Sequence, residues 1–187
     1  MVKMIIMIVC YLILAPVVGG LLAGIDRVLS ARLQGRQGPP VFQPFYDFFK
    51  LLEKEPITVN KVQDFYVGCF LLFVIVTGCF FFAGLDMLLV IFTLTLASVF
   101  LIVGAFSANS AYPQLGAERE LLQMMAYEPM VLMTAIGFYI FNGSFVISDI
   151  AASDRMAFPY MVGIFAGFVF ILTIKFRKSP FDLSMSH

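Results

Sequence analysis

The sequence predicts an all-α fold, a polytopic bundle of transmembrane helices. Hydrophobic residues make up 61% of the 187 and charged residues only 13%, about half the charged share of a typical soluble domain. The mean hydropathy is +0.96. Five stretches approach the roughly 20 apolar residues that a helix needs to cross a bilayer core.

Those stretches are Met4 to Ile25, Phe65 to Ala83, Leu85 to Ala108, Leu121 to Phe141 and Phe158 to Ile174. The first lacks a small-x-small cleavage site and is followed by further apolar runs. We therefore read it as a retained span and not a signal peptide. Only Gly84 separates the second and third, which predicts a tight helical hairpin. All of residues 1–187 read as a single membrane domain. In the first span Ala15, Gly19 and Ala23, with Gly20 and Gly24 beside them, predict close helix packing and no chemistry.

Formal net charge is zero, which offers nucleic acid no attraction. The placement of charge is more informative. Of the 12 basic residues, only Lys3 and Arg155 lie outside three segments. Arg27, Arg32, Arg36, Lys50, Lys54 and Lys61 follow the first span, Arg119 follows the third, and Lys175, Arg177 and Lys178 follow the fifth. The positive-inside rule puts these segments and the C-terminus in the cytoplasm and the N-terminus outside.

Cys10, Cys69 and Cys79 sit inside apolar runs without a CxxC pair, and His187 is the last residue. No ligand set for an iron–sulfur cluster or zinc is present, and the cysteines read as small packing residues.

The loop from Asp26 to Asp64 has its path set by Pro39, Pro40 and Pro44, which exclude helix before about residue 44. From Phe45 a helix is expected, with Pro44 at its first position. Phe45, Phe48, Phe49 and Leu52 share one face at helical spacing, and Asp47, Lys50 and Lys54 share the other. Such an amphipathic helix lies on the membrane surface or against a partner.

The fourth span carries the chemistry. Glu118 and Glu120 stand at its cytoplasmic mouth, with Glu128 two turns deeper. Glu120 and Glu128 are about 12 Å apart along a helix axis and about 80° apart around it, so both can line one cavity. Arg119 points nearly opposite Glu128. Pro129 has no N–H, which leaves the Met125 carbonyl without its helical partner. Backbone freed at membrane depth is tolerated where protein or a wet cavity surrounds it. An ionised carboxylate there is costly, so Glu128 is placed to take up and release protons near neutral pH. The plainer reading is a neutral glutamic acid hydrogen-bonded between helices, with Glu118 and Glu120 simply solvated. Past the fifth span, Asp182 lies near Arg177 and Lys178, a cluster equally suited to setting topology. Asp86, Asp149 and Asp154 read as solvated span ends.

Three segments together resemble a known family: RLQGRQGPPVFQPFYDFFKLLEKE (Arg32 to Glu55), SANSAYPQLGAERELLQMMAYEP (Ser107 to Pro129) and KFRKSPFDLS (Lys175 to Ser184). They look like the large membrane subunit that complex I shares with the energy-converting, group 4 [NiFe] hydrogenases. In complex I the first loop has an R-x-GPN type sequence. Here GRQGPPVFQP, LGAERE and QMMAYEPM are more similar to the Ech hydrogenase and formate hydrogenlyase branch.

The resemblance implies a connector between a peripheral redox arm and an ion-pumping membrane arm. It implies no cofactor in this chain. The [NiFe] centre and [4Fe-4S] clusters would lie in partners: hydrogenase large and small subunits, an iron–sulfur subunit and an antiporter-like membrane subunit. Glu118, Glu120, Glu128, Asp182 and Asp47 would belong to a proton path. Arg36, Lys50, Arg119 and Arg177 would dock the redox subunits. In the family the PFDL segment opens a longer loop and further spans follow, so the chain reads as C-terminally truncated. The alternatives are the matching subunit of a quinone or methanophenazine oxidoreductase, a stand-alone transporter, which the lack of an internal repeat argues against, and a passive membrane anchor.

Overall fold

The computed structural model describes residues 2–55, 60–108, 110–153 and 159–176. The expected all-α fold is what these residues form: seven α-helices and a single isolated β-bridge. The protein is a polytopic helical membrane protein, with four helices long and apolar enough to cross a bilayer and a fifth, shorter apolar helix. By contacts the chain separates into two compact units, Met1–Ile57 and Thr58–His187.

The first unit contains α1 (Val2–Leu33) and α2 (Gln43–Leu52). Helix was expected to stop near Ile25 and to be absent until about residue 44. Instead α1 runs two turns further, straight through Pro16. Arg27 to Leu33 are adequate helix formers, and the edge of an apolar run marks a membrane boundary without marking a helix end. The stop comes at Gly35, with φ +71°. There the Arg36 N–H donates to the Ala31 carbonyl at 3.0 Å and the Gly35 N–H to the Arg32 carbonyl at 3.0 Å. This is a Schellman close, which favours glycine because the left-handed conformation burdens a Cβ.

Beyond Gly35 the chain folds back along α1. Gly38 lies against Ala31 and Val28, the Val41 carbonyl fills the space where a Gly24 Cβ would be, and the Phe45 ring does the same at Gly20, 2.6 Å from that position. The small residues of α1 thus receive their own loop, while Gly19 has nothing within 4 Å. α2 starts at Gln43 with Pro44 in its first turn, where a missing N–H costs least. It ends at Leu52, so Lys54 falls just outside the helix. Phe48, Phe49 and Leu52 remain exposed, an apolar face open to lipid or a partner.

The second unit holds α3 (Lys61–Phe82), α4 (Met87–Phe106), α5 (Ala111–Asn142), α6 (Ile147–Ala152) and α7 (Val162–Lys175). α3 and α4 pack as the expected hairpin, with Phe73 stacked on Phe100 at 5.2 Å. Its turn is longer than a single glycine. Asp86, expected to be a solvated span end, caps α4 by accepting from the Leu88 N–H at 2.8 Å. The turn is clamped to the segment between α5 and α6: the Met87 N–H donates to the Phe145 carbonyl at 2.9 Å and the Ile147 N–H to the Leu85 carbonyl at 3.0 Å. At the other end, the Asn60 side chain caps α3 and donates to the Ser107 carbonyl at 3.3 Å.

Candidate functional site

α5 is the axis of the site. It was expected to begin near Leu121 and to be broken at Pro129. It begins at Ala111 and passes through Pro129 without interruption. Proline removes one hydrogen bond, and the flanking turns together with packing from α4 and α7 hold the helix. Glu128 therefore sits beside a locally unpaired carbonyl in a continuous helix, not at a break.

The register of α7 on α5 fixes the depth of Glu128. The two run antiparallel: Ile164 and Met161 pack at Gly137, Met130 fills the space beside Gly167, and Lys175 reaches Tyr127. At 1.5 Å per residue, Glu128 lies about 21 Å from the α5 end at Asn142, and Lys175 about 20 Å from the start of α7. With those ends at one edge of a hydrocarbon layer of about 30 Å, both groups lie about 10 Å inside the opposite edge. Glu120 is about 12 Å further along α5, near or beyond that layer's edge.

A buried cluster begins at Tyr127, the residue beside Glu128. Tyr127, Val131, Ala135, Ile91 and Ile171 form the buried cluster, with Met124 and Ile174 against it. The Glu128 carboxylate oxygen Oε2 is enclosed and has no hydrogen-bond partner among the described residues. Lys175 places Nζ 4.9 Å from the Tyr127 ring centroid and interacts electrostatically with Glu128. At insertion-scale costs of about 2.5–3.5 kcal/mol for a charge at membrane depth, each offsets only part of the other's burial. Lys175 was expected only as a topology-setting base. No signal in the sequence separates it from the other bases that follow the fifth apolar run.

Glu118 and Arg119 are exposed and Glu120 is half-buried with Oε2 enclosed. An exposed Glu118 followed by the half-buried Glu120 and Glu128 suits a path entering along α5. A cavity of about 340 Å³ lined by Met87, Thr134, Phe138, Met161, Ile164, Phe165 and Phe168 lies toward the Asn142 end. Its lining is almost wholly apolar, which favours a dry space over a water route.

In the first unit Asp47 accepts from Arg27 Nη1 at 2.9 Å and from Gln43 Nε2 at 2.9 Å. These hydrogen bonds, that of Arg27 foremost, hold its carboxyl below the usual aspartate range. Asp47 is thus a clamp between α2 and α1. Arg36 and Lys50 are exposed, Arg36 donating from Nε to Gln34 Oε1 at 2.8 Å. Asp182 and Arg177, with Lys178, Asp154, Arg155 and His187, lie outside the described residues. Cys10, Cys69 and Cys79 are unbridged, and no group of metal-ligating side chains occurs among the described residues.

Fold and site together define a class: a multi-spanning helical membrane protein with a carboxylate and an amine at the same level of two packed helices. The chain belongs to the NADH dehydrogenase family, whose model matches residues 3–187. It is similar to the H subunit of the NADH-quinone oxidoreductase of Geobacillus kaustophilus (strain HTA426), 29% identical with 91% of this chain and 57% of the relative covered. The same subunit of Brucella melitensis biotype 1 is 31% identical over 77% of this chain and 47% of its own length. The chain spans about half the length of the curated relatives it matches. Its fold is like that of a chain in the membrane-bound sulfane sulfur reductase, an archaeal respiratory membrane complex. That match has a TM-score of 0.85 and 24% identity, and covers 98% of this chain and 65% of the other.

Proposed function

We propose that the chain is the membrane connector subunit of an energy-converting [NiFe] hydrogenase of the complex I-like class. It links ferredoxin oxidation and proton reduction in a peripheral arm to translocation of H⁺ or Na⁺ in the membrane. The observation that carries the coupling role is the depth of Glu128. An acid about 10 Å inside the nearer edge of the hydrocarbon layer, with an enclosed oxygen and a lysine at its level, is a proton station and a poor anchor. Glu118 and Glu120 lead to it. The hydrogenase branch is supported by the loop GRQGPPVFQP and by LGAERE with QMMAYEPM.

In this reading α1, α3, α4, α5 and α7 each cross the plasma membrane, with the N-terminus outside and the C-terminus cytoplasmic, as the basic residues favour. Arg36, Lys50, Arg119 and Arg177 face the redox subunits. Asp182 continues the acidic path. Asp47 enters it only if the Arg27 contact opens. The redox centres belong to the partners. Moving one charge against 100 mV requires about 2.3 kcal/mol, which a modest redox drop supplies.

The test is Glu128→Gln in the whole complex in sealed membrane vesicles. Assembly and hydrogen evolution persist and coupled ion transport is lost. Full coupled transport in that variant removes Glu128 from the path. The second reading, the corresponding subunit of a quinone or methanophenazine oxidoreductase, is favoured by the names of the curated relatives. Quinone reduction by the purified complex, without hydrogen evolution from reduced ferredoxin, would decide for it.

A further inference from the structure

We propose that Lys175 is the counter-charge of Glu128, a positioning residue whose ammonium favours the ionised carboxylate at membrane depth and sets the pH at which Glu128 loads and releases its proton. This rests on the proton-path reading of Glu128.

Geometry carries the proposal. α7 ends at Lys175, so the lysine stands where the helix's own carbonyls favour a cation. Its Nζ lies 4.9 Å from the centroid of the Tyr127 ring, one residue from Glu128. The ring fixes the ammonium at the level of an acid whose Oε2 is enclosed without a hydrogen-bond partner among the described residues. A carboxylate that lacks hydrogen bonds depends on charge for stabilisation.

The other charged groups on the packed elements do not replace Lys175. α4 has none between Met87 and Phe106. α6 brings only Asp149, at the far end, accepting from Ser144 Oγ at 2.9 Å. On α5 itself Glu120, Arg119 and Glu118 lie two turns or more away. The proton balance is simple. A proton arriving from the Glu120 side converts the carboxylate to the acid beside an unchanged ammonium, and the pair goes from net zero to net +1. Onward release restores the two opposite charges.

The experiment uses the whole complex in sealed vesicles and reads electron transfer and the pH profile of coupled transport separately. Lys175→Met is expected to keep electron transfer and to move the transport profile to higher pH by roughly one unit or more, the usual size of an opposite charge's effect at close range. The sign follows from the lost cation: the protonated acid persists to higher pH. Lys175→Arg keeps the native profile. An unshifted profile in Lys175→Met, with transport lost in Glu128→Gln, overturns the counter-charge and leaves the proton path standing. Coupled transport in Glu128→Gln overturns the path itself. Loss of transport in Lys175→Arg also overturns the proposal, because the amine would then have to deprotonate. If Lys175→Met does not assemble, Glu128→Gln is added to it. Restored assembly supports the pairing, and continued failure overturns it.

Discussion

Lys175 at the end of α7 holds its ammonium 4.9 Å from the centre of the Tyr127 ring on α5. Tyr127 is only 7% exposed, so the contact is shielded from water. A desolvated cation on an aromatic face is worth about 0.5–2 kcal/mol. Tyr127→Phe keeps the face. Tyr127→Leu removes it and leaves unfilled space, and should weaken the fold by about 1–3 kcal/mol. Thermal dissociation of the detergent-purified complex measures this. Equal midpoints for Tyr127→Leu and the native protein would show that the ring does not hold the lysine.

The glycines of α1 divide by what lies against them. Gly24→Ala drives a Cβ into the Val41 carbonyl, and Gly20→Ala meets the Phe45 ring at 2.6 Å. Backbone cannot yield as a side chain can, so Gly24→Ala should release the loop from α1, and Gly20→Ala should do so less. Gly19→Ala meets nothing within 4 Å and should be neutral or stabilising by about 0.5–1 kcal/mol, since alanine is the better helix former. Protease cleavage after Lys50 or Lys54 reports loop release. Faster cleavage in Gly19→Ala than in Gly24→Ala would contradict this division.

Much of this fold was legible because membrane helices announce themselves by length and apolarity, and the family was legible from three loops in order. The missed features have local causes. Helix α1 outlasts its apolar run because helix ends obey Gly35 and not the bilayer edge. α5 survives Pro129 because tertiary packing outweighs one absent hydrogen bond. Glu128 could be singled out from composition alone, as an acid in an apolar run. Lys175 could not, since its role depends on the register of α7 on α5, and sequence periodicity does not contain that register.

Asp47 links α2 to α1 through Arg27, and its carboxyl is held below the ordinary aspartate range. A group with a depressed folded value contributes stability that is present above its unfolded value, near 3.8. That contribution is lost as pH falls through the folded value. Docking of α2 should therefore be constant from neutral pH to about pH 5 and weaken only in stronger acid. Asp47→Asn should loosen α2 at neutral pH and down to about pH 5, and make little difference in strong acid. Hydrogen exchange of the α2 amides tests both. An α2 that loosens between pH 7 and 5 would mean another group controls its docking.

Gly84 and Gly143 have nearly the same backbone, φ +73° and +75°, in different surroundings. Gly143 has open space around it, whereas a Cβ on Gly84 would meet Ser148 Cβ at 3.2 Å. Asparagine tolerates the left-handed region better than other residues, so Gly143→Asn should be nearly silent. Gly84→Asn adds a steric conflict to the backbone term and should cost about 1–2 kcal/mol or more. The consequence reaches the site, because Gly84 lies in the turn whose hydrogen bonds to Phe145 and Ile147 tie α4 to the end of α5. Loosening that clamp lets α5 slide against α4 and changes the depth of Glu128. Gly84→Asn should therefore lower coupled transport more than electron transfer in intact vesicles, while Gly143→Asn changes neither. Equal behaviour of the two variants would mean that the clamp does not set the depth of the carboxylate.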